Sequence, residues 1–162
     1  MHYSPGQLRK AVGLSPEAYR HWKTVLPSLS SIKGHSARFL IGDILSLAIL
    51  KRLTDICSIK IGNLSDISNA IFDLCNGVSF EELKSLLLFI DLKNNSCSTH
   101  PSLLNKQHST EVLIVVPLAT IISDLHADIM EMQQEDVQGQ LILNMHSSAV
   151  NRLANSGGDD VR

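Results

Sequence analysis

Residues 3–23 run Tyr3-Ser4-Pro5-Gly6-Gln7-Leu8-Arg9-Lys10-Ala11-Val12-Gly13-Leu14-Ser15-Pro16-Glu17-Ala18-Tyr19-Arg20-His21-Trp22-Lys23. Their punctuation decides the fold of the first part of the chain. Ser4 can cap a helix, and Pro5 suits the first helical position. A short helix then runs to about Val12, where Gly13 stops it and permits a tight turn. Ser15 is the next N-cap, with Pro16 in the first turn and Glu17 favouring the positive end of the helix dipole. This second helix should pass through Trp22 to about Val25, ahead of Pro27. Leu8, Val12, Leu14, Tyr19 and Trp22 pack the two helices together and leave Arg20, His21 and Lys23 mostly outside. Two helices of this length around a glycine turn make a helix-turn-helix. The spacing is shared by helical hairpins that bind nothing.

Charge is distributed as unevenly as the motif. The first 60 residues hold nine Lys or Arg against three acids, a net of +6 before histidines. The other 102 hold five against thirteen, a net of -8. A basic head joined to an acidic, aliphatic-rich body is the layout of a DNA-binding module with an attached partner or dimerisation module. With aromatics at 4% of 162 residues, the core must come from Leu, Ile, Val and Ala. The N-terminus lacks the apolar run of a signal peptide, and the longest apolar stretch, Val112 to Ile122, is too short to span a bilayer. The expectation is a soluble, cytoplasmic protein.

Beyond the second helix, residues 27–39 are rich in Ser and carry Lys33, His35 and Arg38. A short β-hairpin turning near Lys33-Gly34-His35 and a solvated connector both fit this stretch. Asp43 should cap a nearly all-apolar core helix from Ile44 to about Thr54, with Lys51 and Arg52 in its last turn serving the helix dipole. A fourth helix is expected from about Leu64 to Cys75, with Leu64, Ile67, Ile71, Leu74 and Cys75 on one face. Ser79-Phe80-Glu81-Glu82 opens a helix or helical turn from Phe80 to Phe89. Residues 93–110 look like a long loop. Glu111 to Val116 is the best strand candidate. Pro117 then starts a helix with Leu118, Ile121, Ile122, Leu125, Ile129 and Met132 on a continuous apolar face. Residues 140–145 suit either a strand or a last helix.

The pattern of Tyr3-Ser4-Pro5-Gly6-Gln7-Leu8, Gly13-Leu14-Ser15, Tyr19-Arg20-His21-Trp22, the Leu26-Pro27 break, Gly34 with Arg38-Phe39, and Gly42-Asp43-Ile44-Leu45 resembles the MerR-like winged-helix DNA-binding domain. The resemblance covers somewhat under half the chain. Trp22 stands where the family usually has Tyr, and Arg38, Phe39 and Asp43 are spaced differently. The likeness is therefore to the superfamily fold, whose other members include excisionases and phage DNA-packaging subunits. It implies that Ser15, Pro16, Glu17, Arg20 and His21 face the major groove with Lys23 on phosphate. It likewise implies that Lys33, His35, Ser36 and Arg38 form the wing. Chemistry agrees, since Arg can take guanine bidentately while Lys and Ser fix register on phosphates. The competing role for Arg20 is a structural salt bridge to Asp43.

Other chemistries find little footing. The three cysteines, Cys57, Cys75 and Cys97, form no C-x-x-C pair, and the histidines show no zinc spacing. No phosphate-binding loop, nucleophile elbow or paired catalytic carboxylate is apparent, so no enzyme, metal or cofactor is expected. Asp124, Asp128, Glu131 and Glu135 repeat along one helix face in the manner of a solvated surface.

The expected fold is mainly α: a winged helix-turn-helix head over 1–76, a small α+β dimerisation or partner domain over 77–155, and a disordered tail over 156–162. The expected function is a sequence-specific transcription regulator that binds double-stranded DNA. It would act as a homodimer reading an inverted repeat, with the stripe from Leu118 to Met132 supplying the dimer contact. That stripe can also pack onto the strand at Val112 to Val116 within one chain. An architectural, excisionase-like or packaging protein, and a module that contacts only another protein, are the alternatives.

Overall fold

In the computed structural model the chain forms two compact units, Met1–His126 and Ala127–Arg162. The structure describes residues 2–32, 38–103 and 112–131. Lys33, His35, Ser36, Met132 and the segments expected over 140–145 and 156–162 lie outside these residues. What is described is mostly helical, with one small three-stranded antiparallel sheet.

The first unit opens with α1 (Pro5–Val12), α2 (Pro16–Val25) and the single turn α3 (Pro27–Ser30). Ser4 and Gln7 cap α1 reciprocally: the Gln7 N–H donates to Ser4 Oγ at 3.2 Å, and the Ser4 N–H to Gln7 Oε1 at 2.9 Å. At the other end Gly13 adopts φ 68°, a left-handed conformation that costs a side-chain-bearing residue about 1–2 kcal/mol. Its N–H reaches the Lys10 carbonyl, and the Leu14 N–H reaches that of Arg9, closing a Schellman motif. α2 ends at Val25, ahead of the expected Leu26-Pro27 break, and Pro27 then starts α3, whose Ser30 hydroxyl donates back to the Pro27 carbonyl.

α4 (Ile41–Asp55) is the central element, and Ile44, Leu45, Leu47, Ile49 and Leu50 on it are completely buried. It begins three residues before the expected helix. Asp43 is not the N-cap but the third helical residue, where its carboxylate reaches back to accept the Leu40 N–H at 2.8 Å. A 3-10 turn (Ile61–Leu64) leads into α5 (Ser65–Gly77), which buries Ile67, Ile71, Phe72 and Cys75. α4 and α5 run close together at Gly42. A Cβ there would fall on the Asn76 side-chain oxygen and lie 2.6 Å from the Cys75 carbonyl oxygen.

After α5 the structure departs from expectation. The helix beginning at Phe80 ends as the single turn α6 (Phe80–Leu83), and Leu87–Asp91 is strand β1. β1 is the middle strand, and Leu88, Phe89 and Ile90 on it are all buried, which places packing on both of its faces. A strand covered on both sides shows no alternation and reads as a plain apolar run. The stretch expected as a loop from residue 93 contains β2 (Ser96–His100), which pairs antiparallel with β1. The reversal between them rests on Asn95 at φ 49° and on the Asp91 carboxylate, which accepts the Lys93 and Asn94 N–H groups at 3.0 Å each. The Asn94 side-chain amide, which donates to the other Asp91 oxygen at 2.7 Å, and then these backbone bonds hold the Asp91 carboxyl below the usual carboxylate range.

β2 also packs against α5. β3 (Ile114–Pro117) lies on the other side of β1, where the strand candidate was expected. Residues 118–131 follow as α7.

Candidate nucleic-acid interface

The capping that defines α2 also sets which side chains it offers to solvent. The Ala18 N–H donates to Ser15 Oγ at 3.1 Å, and the apolar side of the helix is anchored by the buried Trp22. With Trp22 inward, the helical period leaves Glu17, Arg20, His21 and Thr24 exposed along one stripe, with Ser15 and Pro16 exposed at its head. Lys23 is half-buried at the edge. Thr24 has no counterpart in the sequence reading. Its hydroxyl donates to the His21 carbonyl at 2.7 Å, and its place three residues after His21 puts it on the same face.

Arg20 is not bound to Asp43. Its guanidinium stands 3.6 Å from the Glu17 carboxylate, with the two side chains 76% and 75% exposed. A pair that open to water is worth about 0–1 kcal/mol, so Arg20 can turn to an external acceptor at little cost. Asp43 is occupied elsewhere, by Leu40 and Asn76. Lys51 and Arg52, assigned a structural role from sequence, are ion-paired with Asp55 and Asp124.

Tyr19 is half-buried beneath the stripe, and its hydroxyl is buried without a hydrogen-bond partner among the described residues. Burial pushes its pKa up, against a smaller lowering pull from Arg9. The ring is therefore packing, not a stacking platform for bases. Burial likewise raises the pKa of Tyr3.

The second half of the expected site lies on another element. Tyr3 and Phe39 form an isolated antiparallel bridge, with N–H to carbonyl distances of 2.9 Å in both directions. It fastens the chain that returns after residue 37 to the residue preceding the cap of α1. Arg38 sits beside this bridge and is exposed.

The described residues of the expected dimerisation stripe are buried in the single chain. Leu118, Ile121, Ile122, Leu125 and Ile129 are all 6% exposed or less. The opposite face of α7, with Asp124, Asp128 and Glu131, is exposed.

Among the described residues no cluster of His, Cys, Asp or Glu could hold a metal ion, and no helix is long and apolar enough to cross a membrane. Compared with known proteins, the chain matches no family model, no curated protein and no solved structure.

Proposed function

We propose that this chain is a sequence-specific regulator that binds double-stranded DNA through a winged helix-turn-helix head. The observation that carries the reading is the α2 stripe. Ser15, Glu17, Arg20, His21 and Thr24 present hydroxyl, carboxylate, guanidinium and imidazole groups on one exposed helix face, backed by a buried Trp22. A helix of this size fits the major groove, where Arg can take guanine bidentately and a carboxylate can accept from the cytosine amine. Lys23 would lie on the phosphates.

The Tyr3–Phe39 bridge supports the wing. It fastens the chain just after Arg38 beside the start of α1, where a wing that contacts the backbone would need an anchor. The reading includes a homodimer on an inverted repeat, acting in the cytoplasm on the nucleoid without a cofactor or catalytic activity.

The test is selection from a random duplex pool by the purified protein at near-physiological salt. Recovery of one symmetric motif is the expected result. Recovery of no motif, or binding that vanishes with a modest rise in salt, sinks sequence-specific reading and favours an architectural protein or a protein-contacting module.

A further inference from the structure

From the strand edge of the small sheet, we infer that the chain pairs with a second copy of itself along β3, centred on Val115. The inference rests on the homodimer part of the reading above and not on its DNA part.

The sheet order is β2-β1-β3, so β3 is an edge strand with no strand partner on its outer side among the described residues. Its hydrogen-bond phase follows from one bond. The Leu118 N–H donates to the Leu86 carbonyl at 3.3 Å, which continues the register pairing Val116 with Leu88 and Ile114 with Ile90. In an antiparallel ladder hydrogen-bonded pairs alternate. Ile114 and Val116 therefore aim their backbone groups at β1, while Val115 aims its own outward and Pro117 has no N–H to offer there. The only proline of the strand thus stands where its missing N–H is taken from the free edge and not from the ladder, the placement tolerated on edge strands.

Natural edges are usually blunted by charge. Residues 112–117, Val-Leu-Ile-Val-Val-Pro, carry none. Val112 is 90% exposed and Val115 37%. Beside the edge lies an apolar groove of about 290 Å³, walled by β3 and by Leu53, Ile56 and Cys57 at the end of α4. Ile56 is 73% exposed there.

Charge selects the occupant. Arg52 is the one ionised residue lining the groove, and Asp124 already neutralises it within the chain. An acidic or basic partner would find no unpaired charge to meet, whereas a two-fold copy brings two neutral apolar faces together without like-charge repulsion. The edge is also self-complementary. Around a two-fold axis at Val115, the Val115 N–H of each copy meets the Val115 carbonyl of the other. The outward backbone donor and acceptor of Val115 are thereby satisfied in both copies.

The experiment is molar mass by sedimentation over a concentration series with the full chain, its Val115→Lys and Val115→Pro variants, and far-UV circular dichroism on each. Lys places a charge on the axis. Pro removes only the outward N–H and leaves the bonds to β1 in place. The expected result is a mass near twice 17.8 kDa for the parent and near 17.8 kDa for both variants at the same loading, with unchanged dichroism. Hydrogen exchange on the parent gives an independent reading, since the amide of Val115 should slow as concentration rises through the transition. A parent that stays at single-chain mass, variants that stay dimeric, or exchange at Val115 that ignores concentration overturns the interface. Duplex binding is scored on the same samples, so a dimer that binds no DNA supports this interface while counting against the DNA reading.

Discussion

Asn76, at the end of α5, donates its amide to the Asp43 carboxylate on α4 at 2.9 Å. The same amide reaches the Phe72 carbonyl at 3.0 Å, and the other carboxylate oxygen takes the Leu40 N–H. One buried carboxylate therefore caps the start of the central helix and pins it to the end of its neighbour. Asn76→Ala leaves that carboxylate a donor short, and the cost of such a loss is about 1–3 kcal/mol. A lowered urea midpoint with an unchanged m-value is expected, and an unchanged midpoint would show the bond to be dispensable.

Gly42 belongs to the same junction. A methyl group there meets the Asn76 side chain and the Cys75 backbone carbonyl. Overpacking of this kind costs about 1–3 kcal/mol. Gly42→Ala and Asn76→Ala should not add, because the second removes part of what the first strikes. A double-mutant cycle in urea gives the coupling, and strict additivity would mean that the backbone carbonyl alone makes the clash.

Burial pushes the Cys75 thiol up to about 12 from an ordinary 9.0, whereas Cys57 is exposed. Alkylation at pH 8 should therefore label Cys57 well before Cys75, which reacts once the chain unfolds. The stability consequence has a definite sign. The folded state holds the Cys75 proton more tightly than the unfolded state, so this contribution is complete below pH 9 and is lost as pH climbs toward 12. The buried Tyr3 and half-buried Tyr19, also raised, add to the alkaline loss. Thermal midpoints that hold steady from pH 8 to 11 would contradict it.

The helical head was legible because its signals are local. Ser4, Pro5, Gly13, Ser15 and Pro16 each act within four residues of themselves, and each does in the structure what its chemistry suggests. The β1–β2 hairpin was not legible. Leu87 to Ile90 lacks alternation because β1 is covered on both sides, and the polar Ser96–His100 strand looks like loop without β1 beside it. Asp43 was placed one role away from its true one because N-cap and N3 acids share a residue type. The α7 stripe was read correctly as apolar. Its burial within one chain depends on tertiary neighbours that periodicity does not name. On the candidate site, sequence gave Arg20 and His21 by resemblance but had no means of adding Thr24, whose membership follows from the inward turn of Trp22.

Replacing Arg20 separates a recognition role from a structural one. Among the described residues its one ion pair is the open contact with Glu17, so Arg20→Ala should change folding stability by no more than about 0.5 kcal/mol. If the guanidinium takes a base edge, the same change costs about 1–3 kcal/mol of binding and relaxes preference at one base pair of the selected motif. Lys23→Ala should behave differently, weakening all sequences alike and reducing the salt slope by about 1. Arg20→Ala combined with Arg38→Ala removes one exposed cation from α2 and one from beside the Tyr3–Phe39 bridge, and duplex binding should be lost with the fold intact. Fluorescence anisotropy with the selected duplex at two salt concentrations reads all three variants. Binding by the double variant equal to that of the parent chain would mean that this head contacts something other than DNA.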